Sequence, residues 1–514
     1  MPARPSGLAH GRPRRRRRAD ARRPARPPDA RTGTTHGWRR SAVMHVIGGG
    51  LAGSEAAWQA AELGVDVVLH EMRPVRPTAV HQTDGLAELV CSNSFRGDKL
   101  DNAVGLLKEE MRRLGSVIMR AADRARVPAG AALAVDRLVF SREVTARLEA
   151  HPRITIVREE IAQVPEPAGT HAPVIVATGP LTSDALSADI QRLVGAEHLS
   201  FYDAISPIVL AETIDRSKVF RASRWDRSVW AAPPAPDADA SEPAPGPSVG
   251  CAAEERSASE SGDYLNGPFT REEYDAFYDA LTGSESATVH DFDSATFFEG
   301  CLPIEVMAHR GRDTLRFGPM KPVGLQDPRT GRVPHAVVQL RQDTLAGDHF
   351  SLVGFQTQIK WGDQARVLRM IPGLEQAEFV RFGMVHRNTY ICGPRVLRPT
   401  WQVRGRDALF FAGQVSGVEG YVESAASGLL AGLNAAALAL GRQPRTLPRT
   451  TAMGALAHYV SHADPDHYQP SNITHGIMEP LAQPPRDKAR RKALVAERAL
   501  ADLDAWMGEA ALSR

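Results

Sequence analysis

Three glycines stand first among the residues whose spacing could do chemistry. Gly48, Gly50 and Gly53 fall in the run GGGLAG at 48–53, a G-x-G-x-x-G pattern. Glycine is wanted at such points for a tight turn, for close approach of the backbone to a pyrophosphate, and for close packing of a helix on a strand. The free N–H groups and dipole at the start of the following helix then favour the negative charge of a phosphate. Alone the pattern is weak, and context strengthens it. An apolar strand precedes it at 43–47, a helix-forming stretch follows at 54–63, and a second apolar strand at 65–69 ends beside an acid, Glu71. That order is the first half of a βαβ unit with an acid placed for ribose hydroxyls. We therefore expect Gly48, Gly49, Gly50, Leu51, Ala52 and Gly53 to cradle a dinucleotide and Glu71 to hold its ribose.

Two later stretches bear on which dinucleotide it is. VIVATGP at 174–180 reads as a buried strand ending at Thr178 and Gly179, and LFFAGQ at 409–414 as another, followed by Gly417, Gly420 and a small-residue helix from 422 to 431. These features resemble the distal flavin-contacting segment of two-dinucleotide flavoproteins, where a helix N-terminus faces the ring. FAD is thus favoured over a soluble nicotinamide, with Thr178, Gly179, Gly413, Gly420, Tyr421 and Val422 at the cofactor. The acid common in that segment is Gln414 here. For Tyr421, stacking on the flavin and packing in the core are both open.

The four cysteines are Cys91, Cys251, Cys301 and Cys392. They are too few and too scattered for a disulfide framework, and no CxxC pair suggests structural zinc, so no metal is expected. A thiolate is a potent nucleophile, but a lone cysteine is more often a small buried hydrophobe. On residue chemistry alone both readings of Cys91 and Cys301 stand. Cys392 follows an apolar stretch and reads as core, whereas Cys251 lies in a low-complexity block that holds nothing in place.

Around these residues the elements alternate strand and helix, which is an α/β pattern. Helical composition with mixed charge is expected at 104–125 and 487–507, and loops with short strands at 292–338. Residues 231–262 contain 6 Pro, 9 Ala, 5 Ser and 3 Gly, and read as a surface insertion. Residues 1–41 form an Arg-rich extension without apolar periodicity. A transit peptide and an RNA-binding arm are alternatives for it, but Met44, immediately before the first strand, is the expected start. The expected organisation is the extension (1–41), a first part of an FAD-binding domain (42–204), an inserted substrate domain (205–380), completion of the FAD domain (381–445) and a C-terminal helical segment (446–514). The fold class is α/β, a Rossmann-like FAD-binding domain of the two-dinucleotide flavoprotein type with inserted α+β substrate-binding segments.

Longer motifs make the reading more specific. GGGLAGSEAAWQ (48–59), LVCSNSFR (89–96), FEGCLPIE (298–305), LRFGPMKPVGL (315–325) and AGQVSGVEGYVESA (412–425) closely resemble the folate- and FAD-dependent tRNA (uracil-5-)-methyltransferase family, from about residue 44 to about 480 outside the 231–262 insertion. The resemblance implies methylation of a T-loop uridine, with methylenetetrahydrofolate as carbon donor and NAD(P)H as reductant through FAD. Carbon 5 of uracil is a poor nucleophile, so a thiolate must add at carbon 6, and a base must later take the proton from carbon 5. Cys301 matches the family's proposed nucleophile and Cys91 its second functional cysteine, a base or partner thiol. His386 and Asn388 match a segment near the folate pterin. The family pattern often has Cys where this chain has Gly267, which implies that a thiol there is dispensable.

The net charge of +2 is uneven. The first 40 residues hold 13 Arg against Asp20 and Asp29, which leaves 49 basic and 58 acidic residues, or −9, for the rest. tRNA must therefore meet local basic patches: Lys108, Arg112, Arg113, Arg120, Arg124 and Arg126, or Arg486, Lys488, Arg490, Arg491 and Lys492. A charged helix face is more often only solvated. A membrane span is not expected, for want of an 18-residue apolar run. A cytoplasmic enzyme without an obligatory protein partner is expected. The alternatives are a related FAD-dependent enzyme acting on the wobble uridine, and an inactive FAD- and tRNA-binding protein; Cys91 and Cys301 argue against both.

Overall fold

The computed structural model describes residues 43–78, 80–169, 171–195, 199–227, 262–285 and 302–512; at 199–204, 385–389 and 510–512 only the backbone is described. The 1–41 extension, nearly all of the 231–262 block with Cys251, and Cys301 lie outside the described residues.

A six-stranded sheet forms the centre of the first lobe, in the spatial order Gln402–Val403, Arg406–Phe411, Val174–Val176, Met44–Ile47, Val67–Glu71 and Ile154–Arg158. All neighbours are parallel except Gln402–Val403, which runs against Arg406–Phe411. Parallel strands are covered on both faces, which is why these segments are almost continuously apolar rather than alternating. The covering helices Leu51–Glu62 and Tyr421–Ala439 lie against one another with unusual closeness. A Cβ on Gly428 would stand 2.1 Å from the carbonyl oxygen of Ala52, and one on Gly432 2.6 Å from that of Ala56. Small residues thus bring two backbones into contact. The Tyr421–Ala439 helix is apolar and long enough to cross a membrane, yet most of it is buried in this packing.

The second lobe is an antiparallel sheet in the order Phe220–Ala222, Tyr264–Phe269, Ala336–Gln342, His349–Leu352, Ile208–Leu210 and Phe379–Arg381. Its core gathers Leu265, Phe269, Phe277, Ile304, Phe350, Phe355 and Val367. The helix Arg271–Thr282 is started by a capping box, Thr270 with Glu273, which satisfies two backbone donors reciprocally. A ribbon of Leu199–Ala204 with Val385–Tyr390 stands between the chain's exit from the first lobe and its return.

Three expectations need correction. The single helix over 104–125 is two, Ala103–Arg113 and Val117–Arg124, because Gly115 adopts φ +76° and the Ser116 side chain caps Met119 N–H, restarting the helix. The loop-rich stretch to 338 carries two short helices, Ile304–His309 and Thr314–Phe317. The expected helices at 422–431 and 487–507 run longer, as Tyr421–Ala439 and Lys488–Leu512.

Candidate cofactor and thiol site

A cleft of about 440 Å³ opens at the carboxyl ends of the parallel strands. Its floor is the turn after Met44–Ile47. Gly48 has φ +104°, and a Cβ there would fall 2.5 Å from the carbonyl oxygen of Ala177 on the neighbouring strand. Gly50, by contrast, has nothing within 4 Å of its would-be Cβ, so the cradle opens towards the cleft. No side chain caps the helix that starts at Leu51, and none caps the Tyr421 helix, whose N-cap Gly420 has φ +104°. Two uncapped helix starts facing one cleft leave N–H donors for anionic or polar ligand atoms. Glu71 lies at the end of its strand, 4% exposed, with one carboxylate oxygen taking Gly49 N–H at 2.9 Å and the other the Nε–H of Arg73 at 2.9 Å. Burial opposes its ionisation, but the Arg73 hydrogen bond and charge prevail and hold the carboxyl below its ordinary range.

Gly48, Gly49, Gly50, Leu51, Ala52, Glu71, Cys91, Thr178, Gly179, Gly413, Gly420 and Tyr421 all line this cleft. Two expected cofactor contacts do not. Gly53 packs inward, where a Cβ would sit 1.8 Å from the Gly48 carbonyl oxygen, so it serves helix-on-strand packing. Val422 is buried in the core, 1% exposed. The side chains of His386 and Asn388 lie outside the described residues; their backbones pair with Asp203 and Phe201. Cys392 is core, as its apolar setting suggested. A Cβ on Gly267 would meet the Pro372 carbonyl oxygen at 2.8 Å, so this chain has little room for a side chain there.

The thiol of Cys91 is 2.9 Å from the Tyr421 hydroxyl, which also accepts the N–H groups of Cys91 at 2.8 Å and Ser92 at 3.2 Å. With both lone pairs of the hydroxyl engaged, its single proton is left to donate to the sulfur. Burial, and next the Cys91 neighbour, raise the Tyr421 pKa well above 10, so the phenol keeps that proton at neutral pH. The loop is clamped from outside. Arg341 gives hydrogen bonds to Asn93 Oδ1 at 2.7 Å and Ser92 Oγ at 3.0 Å, and Arg137 gives one to the Leu89 carbonyl at 3.1 Å while pairing with Asp343. Arg381 adds a third guanidinium whose charge acts on Tyr421 and Cys91, and its Nη2 is buried with no hydrogen-bond partner. Burial lowers the pKa values of Arg341 and Arg381.

These arginines, with Gln356 and Arg96 on the cleft wall, escaped sequence reasoning because they are scattered over nearly 300 positions. Arg96 forms an ion pair with the buried Glu423. One basic patch also needs correction. Lys108 is fully buried, and its Nζ donates to the carbonyls of Phe95, Arg96 and Gly97 at 3.0, 3.2 and 2.7 Å. Burial pushes its pKa down to about 8 against the pull of Asp98. Arg112 and Arg126 are spent on Asp98 and Asp123, and Arg113 on Glu109 and Asp504. Arg120, over the Trp58 ring, and Arg124, 3.5 Å from Glu143, are exposed. Among the described residues no cluster of His, Cys, Asp and Glu suits a metal ion.

Sheet, glycine turn and cleft together define a Rossmann-like dinucleotide-binding protein. The family described as glucose inhibited division protein A matches residues 43–234 and 249–443, and the chain belongs to that family. It is 57% identical over 90% of its length to a methylenetetrahydrofolate–tRNA-(uracil-5-)-methyltransferase TrmFO of Symbiobacterium thermophilum, covering 96% of that protein. A TrmFO of Anoxybacillus flavithermus is 53% identical over 88% of the chain and 97% of the relative. The solved structure of Aquifex aeolicus GidA superposes with a TM-score of 0.60 at 18% identity, covering 90% of this chain and 75% of that one, a likeness of fold.

Proposed function

We propose that this chain is a folate- and FAD-dependent tRNA (uracil-5-)-methyltransferase that converts the T-loop uridine to 5-methyluridine, using methylenetetrahydrofolate and NAD(P)H. It acts in the cytoplasm without an obligatory protein partner, and the divisions at 204/205 and 380/381 separate its cofactor and substrate parts. The observation that carries the reading is Cys91 on the wall of the glycine cradle, its sulfur 2.9 Å from the Tyr421 hydroxyl. The wobble-uridine alternative is not favoured, since relatives matching nearly end to end bear the methyltransferase name.

The cradle suits FAD: a Cβ at Gly48 would collide with backbone, Gly50 opens to the cleft, and both facing helix starts are uncapped. Gly48, Gly49, Gly50, Leu51 and Ala52 would hold its phosphates, Glu71 its ribose, and Thr178, Gly179, Gly413, Gly420 and Tyr421 the remainder. Bound there, FAD supplies the redox chemistry that links nicotinamide to the one-carbon unit. The chain's own part is thiol and proton chemistry. Cys301 adds to carbon 6 of uracil, which places enolate character on carbon 5. Cys91 is the second thiol, and the proton that Tyr421 donates to its sulfur favours the ionised form that can act as base towards carbon 5. His386 and Asn388 bind the pterin. The target base must leave its stack to reach these groups.

The deciding experiment is transfer of labelled carbon from methylenetetrahydrofolate into unmodified tRNA, with reduced nicotinamide present and the product nucleoside identified. Label in T-loop 5-methyluridine is expected; no label despite bound flavin and tRNA binding would overturn the reading. Cys91→Ala and Cys301→Ala should each abolish transfer while retaining FAD, and full activity in either removes that cysteine from the mechanism.

A further inference from the structure

Beside the cleft three aromatic rings form a ladder. Trp361 and Phe382 stack at 6.3 Å between centroids and 23° between planes, and Phe382 and Phe379 at 5.3 Å and 21°. Phe379 is anchored on the core of the second lobe, whereas Trp361 at the other end is 63% exposed. A ring so exposed gains little from burial, yet its placement is tightly held. Gln364, on the helix that Trp361 begins, donates to the Gly383 carbonyl at 2.9 Å and accepts Gly383 N–H at 2.8 Å, which fixes the chain beside Phe382. A Cβ on Gly383 would stand 2.4 Å from Thr357, so the two segments are in close contact.

The ladder is joined to the cleft through its neighbours in the chain. Gln356, five residues before Trp361, lines the cleft, and its carbonyl accepts Ile304 N–H at 2.8 Å. Arg381, next to Phe382, is the guanidinium whose charge acts on Cys91 and Tyr421 and whose Nη2 has no partner. Rigid, near-parallel rings with one end open to solvent suit nucleobases, because every base has a π-face and stacking is worth a substantial part of single-strand affinity. Extrusion of one base also deprives its loop neighbours of a stacking partner.

We propose that Trp361, Phe382 and Phe379 form a stacking platform for the unpaired nucleotides flanking the target uridine, with Trp361 making the contact. The proposal rests on the reading of this chain as a tRNA-modifying enzyme and adds where, and by what force, the loop is held. It is tested with the flavin-loaded full chain, a fluorescent T-arm stem-loop, and a closed duplex of the same stem. Trp361→Leu, which keeps apolar bulk without a ring face, should weaken stem-loop binding about tenfold and leave duplex binding unchanged, while Trp361→Phe restores most of the loss. Flavin content and RNA-independent nicotinamide oxidation should match the wild type. Undiminished stem-loop binding by Trp361→Leu, an equal loss on loop and duplex, or an altered oligomeric state without RNA would each overturn the platform, the last by assigning the rings to contact between copies of the chain. Failure of the wild type itself to bind or methylate the stem-loop overturns the functional reading instead, so the two failures are distinct.

Discussion

Tyr421 is the residue that tethers the Cys91 loop, since its hydroxyl takes two backbone N–H groups and directs its one proton to the Cys91 sulfur. Tyr421→Phe should retain FAD but slow methyl transfer about ten- to hundredfold, the equivalent of about 1.5–3 kcal/mol for a hydrogen bond to a charged group; single-turnover rates check this. A second consequence concerns acid. Burial, with repulsion from His70 second, lowers the His45 pKa from 6.5 to about 4, and burial, with Arg73 second, lowers that of His81 to about 4. In that window the unfolded chain binds protons that the folded chain refuses, so stability is full above about 6.5 and is lost as pH falls towards 4. Melting temperatures from pH 7 to 4 should decline less steeply in His45→Gln. At this scale the placement of the glycine turn and Glu71 at one cleft was legible from a local pattern, whereas residue chemistry alone left Cys91 open between a reactive thiol and a small buried hydrophobe. Tyr421 left two readings open, and its partner lies 330 positions away. Lys108 was misread because charge on a helix suggests solvent, whereas three carbonyls enclose it here.

The closest fit between elements is that of the Leu51–Glu62 and Tyr421–Ala439 helices, where Gly428 and Gly432 face Ala52 and Ala56. A valine at 428 would drive the helices apart and tilt both uncapped starts away from the cleft. Gly428→Val should cost about 1–3 kcal/mol or more and reduce bound flavin, as urea denaturation and the absorbance of the purified protein would show. Strand and helix order in the first lobe was readable because apolar runs and a glycine turn announce it. The sequence also held the signal for the break at Gly115-Ser116, a C-terminal glycine followed by a capping serine, but helical composition on both sides masked it. The antiparallel lobe was harder to read, since its strands pair over long separations: Phe379–Arg381 pairs with Ile208–Leu210.

Over the whole molecule the charge is a basic extension on an acidic body, so phosphate contacts must be local. Lys108, Arg112, Arg113 and Arg126 are engaged with carbonyls or carboxylates, whereas Arg120 and Arg124 are exposed, as are Arg486, Lys488, Arg490 and Arg491 near the C-terminus. Lys488→Glu with Arg491→Glu should weaken tRNA binding and lower the slope of log affinity against log salt by roughly one per lost phosphate contact, whereas Arg113→Ala should leave the slope unchanged; filter binding at several salt concentrations decides. The cleft draws its walls from opposite ends of the described chain, with Gly48 to Ala52 on one side and Gly413, Gly420, Tyr421 and Asn472 on the other. On the ribosome the first wall emerges long before the second, and the whole antiparallel lobe is made in between. Flavin capture is therefore one of the last events of biosynthesis. A chain truncated within that lobe should fold in part but stay colourless, so the yellow of a preparation reports translation through to the closing helix.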